Sequence, residues 1–367
     1  MGCSSETSYS TNENNIPSSQ IQNNVNNNHE KNSEEINDFT SDPKNIELLK
    51  DLTRDSYITN CCDNIFIVFK SIDNKSYLVY TNRKYSILFY NLNEDKIVNE
   101  ISKAHGRWEI SNFRHFLDKI NSRDLIISVS GVSNNIKIWN LQNYECLIDI
   151  EDTIKNGYLN SAFILNDANQ NFIISDSVGN DPIKVFDFNG SKVKEIDDSN
   201  EKSFFIDNYF DNKLSKNFII TGSNSYIKSY DFNENKLYHK YMDKDNESNH
   251  FSIVIDRKQE ITKLIESCND GNVRIWNFHT AEMLNKIQIS NQPLFGICLW
   301  NEKYLFVGCE EKVIKLIDLN DGNIIKDLNG HSKAVTTVKK IIHPEYGECL
   351  ISQGMRDDQI RLWINKK

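Results

Sequence analysis

The chain is short of several things, and each shortage removes a class of function. No stretch of its 367 residues approaches the roughly 20 consecutive apolar residues that a membrane-spanning helix needs. Bases are outnumbered, 42 Lys and Arg against 52 Asp and Glu, for a formal charge of -10 and a pI near 5.4. General affinity for nucleic acid, which calls for a basic face, is therefore not expected. The eight cysteines are scattered, with Cys61-Cys62 adjacent and no C-x-x-C, so neither a disulfide framework nor a zinc site is indicated. They read as small buried hydrophobes in a reducing cytosol. Met1 leads directly into polar residues, without the apolar core of a secretory signal.

Catalytic signatures are missing too. There is no G-x-S-x-G, P-loop, H-E-x-x-H or Gly-rich dinucleotide turn, and the histidines do not pair at metal spacing. Acidic pairs such as Asp197-Asp198 and Glu310-Glu311 fall in expected turns, where a carboxylate is simply solvated. The expectation is a non-enzyme without catalytic residue, metal or cofactor. An enzyme with its site in a central channel is the weaker alternative.

What the chain does have is a repeat. Seven times an apolar strand is followed by a tight polar turn and a second strand closing on a large apolar anchor, usually with Asn or Asp just after it, as in LIISVSGVSNNIKIWNL from Leu125. The anchors are Tyr90, Trp139, Phe186, Tyr230, Trp276, Ile317 and Trp363, at intervals of 49, 47, 44, 46, 41 and 46 residues. That period is close to the ~40–45 residues of a four-stranded propeller blade. One such unit cannot bury its own apolar face, so the units must stack around a common axis. Blades of this size account for the chain from Asn45 to Lys367, one large domain.

The last repeat is the best preserved. Asn323 to Leu328 suits an outer strand, Gly330-His331 punctuates, Ala334 to Ile342 suits an inner strand, and Asp357-Asp358 sits in the turn before Ile360-Arg361-Leu362-Trp363. This resembles the WD-repeat (WD40) family, whose blades carry Gly-His before the innermost strand and Trp-Asp at the end of the third. The resemblance implies an all-β fold, a seven-bladed β-propeller. It also implies a buried structural network, with His331, Ser352, Asp357 and Trp363 as the matching residues. His105 before Trp139 stands in a reversed His-Gly order, and Asp270-Gly271 precedes Trp276 without an upstream Gly-His. The first, third, fourth and sixth repeats have drifted further.

The final repeat has too few residues after Trp363 for its own fourth strand, and Ile46 to Leu52 looks like that strand supplied from the other end. The ring is therefore expected to close on an N-terminal strand, which removes the open edges of a linear array.

Six repeats place a base two residues before the anchor: Lys137, Lys184, Lys228, Arg274, Lys315 and Arg361, with Leu88 in the first. Period-two alternation puts each on the strand face of its anchor. They form either a positive ring suited to an acidic peptide or phosphate, or a set of long stems packed between blades. Their mid-strand position favours the second.

Residues 1–44 are of different material, rich in Asn and Ser, with seven acids against two bases. Such composition cannot offset its ordering entropy, so a disordered tail is expected. Its start, Met1-Gly2-Cys3-Ser4-Ser5, resembles proteins myristoylated at glycine and palmitoylated at the next cysteine, with Glu6 where that motif has Ser or Thr. Gly2 and Cys3 are the lipidation candidates. Two chains would be needed for stable anchoring, since one gives marginal binding.

The function expected is display: a cytoplasmic scaffold or adaptor, held at a membrane face if Gly2 and Cys3 are acylated, or a soluble subunit of a multiprotein assembly. Its partners would be proteins or peptides on the propeller faces.

Overall fold

A computed structural model describes residues 41–53, 56, 65–152, 154, 157–179, 181–196, 203–245, 250–257 and 260–366. Gly2 and Cys3, with the tail up to residue 40, lie outside them, as do Cys61, Cys62 and the pair Asp197-Asp198.

Among the described residues the chain is all β apart from one turn of 3-10 helix at Pro43–Asn45. Their twenty-eight strands form seven antiparallel four-stranded sheets among the described residues. Six are made of consecutive strands and span residues 67–101, 112–151, 157–196, 205–241, 250–288 and 294–329, here blades 1 to 6. Blade 7 takes Val335–His343, Gly347–Gly354 and Ile360–Asn365 from the end of the chain and Ile46–Asp51 from its start. Leu48 pairs with Trp363 and Ile46 with Asn365, so the ring closes on an N-terminal strand. Within a blade the strands are named a to d from the channel outward.

Burial follows that order. The b and c strands are buried almost throughout, as in Ser76–Thr81 and Ile87–Asn91 of blade 1, because neighbouring blades cover both their faces. The d strands, such as Met283–Gln288, are mostly exposed. Seven apolar clusters occupy the seven interfaces between successive blades. The closing interface, blade 7 on blade 1, is as full as the rest, with Leu78, Tyr80, Leu88 and Tyr90 against Ile351, Ile360 and Leu362. Each fully buried side chain of this kind contributes about 1.5–3 kcal/mol, so these clusters outweigh any single polar contact in holding the ring. All seven anchors are buried, Ile317 as fully as the aromatics it stands among.

A feature with no sequence signature recurs at every anchor. The c–d pairing slips by one residue there in all seven blades, for example between Ile138 and Trp139 and between Leu316 and Ile317. Each slip inserts an extra d-strand residue, Val98 in blade 1 and Leu147 in blade 2. Such a bulge sharpens strand twist, and here it lies behind the residue that packs on the next blade.

Antiparallel alternation puts the a–b and c–d turns on one face of the ring, the hairpin face. The b–c turns and the links between blades lie on the other, the link face. Ser41 is fixed on the hairpin face: its backbone N–H and hydroxyl both donate to Glu348 Oε2, and its carbonyl accepts from Trp300 Nε1 at 2.8 Å. Lys340 pairs with Glu348 at 2.5 Å and lies over the Trp300 ring. Asn365 donates to Ser41 Oγ and the Asp42 carbonyl. Thus residues 41–44, the last of the segment read as tail, are bonded into the seam between blades 6 and 7.

Candidate functional site

In blade 7 the four residues singled out by sequence come together. Trp363 Nε1 donates to Ser352 Oγ at 2.7 Å, Ser352 Oγ lies 2.7 Å from His331 Nε2, and His331 Nδ1 lies 2.9 Å from Asp357 Oδ2. A consistent proton arrangement runs from the indole through the hydroxyl to the imidazole, whose other N–H donates to the carboxylate. Arg361 Nη1 donates to the same carboxylate oxygen at 2.7 Å. Burial lowers the His331 pKa, with the bond to Asp357 opposing it. Burial raises Asp357, but bonds from His331 and Arg361 outweigh this and hold it below the usual carboxylate range. All four side chains are buried, so the network fixes the strand ends rather than meeting a substrate.

Blade 2 has the same construction with one part missing. Trp139 Nε1 donates to Ser128 Oγ at 2.8 Å, and His105 Nε2 lies 2.8 Å from the same oxygen. The turn 131–134 carries no acid, and His105 Nδ1 is buried without a hydrogen-bond partner. Burial then dominates, with Lys137 adding to it, and the His105 pKa falls to about 3.

In blades 3 and 5 the link position holds an aspartate instead of a histidine. Asp152 accepts from Lys184 Nζ at 2.7 Å and from Ser175 Oγ at 3.2 Å. Asp243 accepts from Arg274 Nε at 2.9 Å and Lys286 Nζ at 2.7 Å, and Arg274 also reaches Asp270 at 2.5 Å. Glu266 occupies the Ser352 position of blade 5 and accepts from Trp276 Nε1 at 2.8 Å. These partners escaped the sequence reading. The available signal was an acid one or two residues after the d strand, combined with the base two before the anchor.

Acids on d strands and b–c turns hold three more of the bases. Lys137 pairs with Asp149 at 3.0 Å, Lys315 with Glu311 at 3.2 Å and Arg361 with Asp357 and Asp51. Lys228 lies 5.1 Å from the centroid of the Tyr226 ring, and Lys137 5.9 Å from that of Trp139. Five of the six bases are thus neutralised by acids of their own blade or the link into it. Positive charge here is internal bonding, not a surface for anions.

Among the described residues, no group of three or more His, Cys, Asp or Glu could hold a metal ion, and no helix is long and apolar enough to cross a membrane. Cys268, Cys298, Cys309 and Cys349 are buried, but Cys146 is exposed. It starts the d strand of blade 2, the strand no neighbouring blade covers, which corrects the reading of every cysteine as buried.

What remains exposed on the two faces is the candidate binding surface. The link face presents Trp108, with the Arg107 guanidinium 4.8 Å above its ring, together with Val132 and Tyr158. On the hairpin face, Ile72, Ile120, Leu214, Ile261 and Ile342 stand exposed on the a–b hairpins of blades 1, 2, 4, 5 and 7.

The chain is a seven-bladed β-propeller closed by an N-terminal strand, an architecture built from repeated blades. Curated proteins align with parts of it. The U3 small nucleolar RNA-associated protein 21 homolog of Schizosaccharomyces pombe is 21% identical over 112 residues, 30% of this chain and 12% of that protein. Myosin heavy chain kinase C of Dictyostelium discoideum is 26% identical over 85 residues, 23% of this chain and 11% of that protein. The chain therefore spans about an eighth or less of the length of these relatives. No protein-family model matches the sequence.

Proposed function

We propose that the chain is a WD-repeat scaffold, a non-catalytic propeller that binds proteins or peptides on its faces and is held at a membrane by acyl groups on Gly2 and Cys3. The observation that carries the family is the Trp363–Ser352–His331–Asp357 chain of contacts, together with its partial copy at Trp139, Ser128 and His105. The relatives support the repeat rather than an activity. One is named for RNA association and the other as a kinase, yet the aligned stretches, 112 and 85 residues, have lengths of only about two to two and a half blades here.

Binding by such a ring would rest on a few exposed anchors on a rigid frame, not on total area. The tail would act as a leash, fixed at Ser41 and ending in the acylated residues. Affinity purification of the full chain tests the scaffold reading. Stable protein partners are expected, and a lone monomer that turns over a small molecule would refute it. Labelling with a myristate analogue tests the tether: incorporation in the natural sequence and none in Gly2→Ala is expected. Absence of label from both would leave the second reading, a soluble subunit of a protein assembly.

A further inference from the structure

We infer that the hairpin face over blades 4 to 6 is a docking surface for a basic, amphipathic segment of a partner protein. The inference rests on the scaffold reading and names its face and partner chemistry.

The a–b hairpins ring the channel mouth, and their turns are where polar residues are the rule. Here four of those turns expose an aliphatic side chain: Ile72 at 45%, Ile120 at 63%, Leu214 at 47% and Ile261 at 44%. Ile342, 47% exposed, lies near the end of the a strand of blade 7 at the same level. Scattered exposed aliphatics are ordinary, whereas the same ring position in five of seven blades is a pattern. Leu214 and Ile261 are neighbours, because Lys213 Nζ donates to the Glu260 carbonyl at 3.1 Å and ties the two turns together.

Charge identifies what would cover them. Glu260 directly precedes Ile261, Glu302 lies on the next a–b turn of the ring, and Glu282 and Asp321 lie on the c–d turns of blades 5 and 6. All four are exposed, and none has a salt bridge within 4.0 Å among the described residues, although the Asp321 pKa is lowered by bonds from Asn323 with a smaller contribution from Lys303. Many acids elsewhere in the ring are matched, as Asp152 with Lys184 and Asp231 with Lys216. On the Leu214 turn itself, Asp211 is buried and lies 3.0 Å from His279 Nε2, so it adds nothing to the rim. Of the cations nearby, Lys303 pairs with Asp318 and the Arg257 guanidinium lies over the Tyr209 ring, while exposed Lys213, bonded to the Glu260 carbonyl, and exposed Lys236 keep their charge and are outnumbered by the four acids. An apolar pair rimmed by unmatched carboxylates is complementary to a segment with aliphatic residues along one side and Lys or Arg along the edges. An anionic lipid surface would be repelled by the same rim.

The test uses the full chain and a fluorescein-labelled 18-residue peptide of Leu and Lys patterned as an amphipathic helix, with a scrambled peptide of equal composition as reference, read by anisotropy at low salt. The patterned peptide is expected to bind at least tenfold more tightly than the scrambled one. L214S/I261S and E260K/E302K should each weaken it about tenfold or more, the size of a lost anchor contact. V132S/Y158S on the link face should leave it unchanged. Melting curves confirm that these exposed substitutions leave the fold intact. Equal binding by all variants, no binding at all, or loss only in V132S/Y158S would overturn the inference. Sedimentation with phosphatidylcholine vesicles that is lost in L214S/I261S, without peptide binding, would assign the face to lipid and overturn it equally. Capture of natural partners abolished by V132S/Y158S but not by L214S/I261S leaves the scaffold standing while this inference falls.

Discussion

His331 Nδ1 stands 2.9 Å from a carboxylate oxygen of Asp357, and this one contact separates the two histidine blades. In blade 2 the equivalent nitrogen of His105 has no partner. Removing the acid in blade 7 leaves His331 and Arg361 buried beside each other without their shared acceptor. Asp357→Ala is expected to lower unfolding stability by about 3 kcal/mol, the cost of breaking a buried charged contact. Urea denaturation measures it, and a loss below about 1 kcal/mol would mean that the contact is idle.

Buried neutral histidines make the fold acid-sensitive. The folded pKa of His105, about 3, lies below its ordinary value of 6.5, so the unfolded chain takes up the proton first. Its contribution is fully present above pH 6.5 and is lost as the pH falls towards 3. Each such group steepens the decline by up to about 1.4 kcal/mol per pH unit. His105→Asn should flatten the curve of urea midpoint against pH between about 6.5 and 4.5. A slope identical to the natural sequence would contradict this.

Asp176 has the opposite sign. It is buried within the blade 3 b strand, Gln170–Gly179, where it accepts from Ser161 N at 2.9 Å and Asn160 Nδ2 at 3.2 Å. Burial nonetheless pushes its pKa up to about 6 from 3.8. The unfolded chain ionises first, so stability falls as the pH rises from about 4 to 6, by up to about 3 kcal/mol. Asp176→Asn should therefore gain on the natural sequence through that window and be the more stable protein at about pH 7.5. Thermal melts at about pH 4.5 and 7.5 decide it, and a constant difference would show that the carboxyl titrates normally.

Lys184 and Asp152 provide a test of compensation. Lys184→Met alone leaves Asp152 buried without its cation and should cost about 3 kcal/mol, whereas Lys184→Met with Asp152→Ala should recover most of that. Additive losses in the double variant would show that the pair is not coupled.

The architecture was legible because the signal is carried by backbone requirements repeated seven times. Each b–c hairpin must bury both faces, so its strands read as apolar runs and its turn as polar. Even the closing strand could be found, since Ile46 to Leu52 supplies what the end of the chain lacks. The polar chemistry was legible only where residue types match a known pattern, at His331, Ser352, Asp357 and Trp363. Asp243 and Arg274 do the same bonding with other chemistry, across 31 residues, and no local spacing announces it. The bulges at the anchors were invisible for a different reason: a one-residue slip depends on twist, which side-chain type does not encode. Exposure on the hairpin face also needed the fold, because Leu214 and Ile261 look in sequence like any other aliphatic residue.

Because Ile46–Asp51 is both the first strand of the chain and the clasp of the ring, anything that tugs on the tail tugs on closure. Tension would arrive first at Ser41, held through Glu348, Trp300 and Asn365, and then at the pairing of Ile46 with Asn365. An antiparallel strand pulled from that end peels one rung at a time instead of resisting in shear. The ring should therefore be mechanically weakest at the point where it is fastened, and the contacts at Ser41 act as its strain relief.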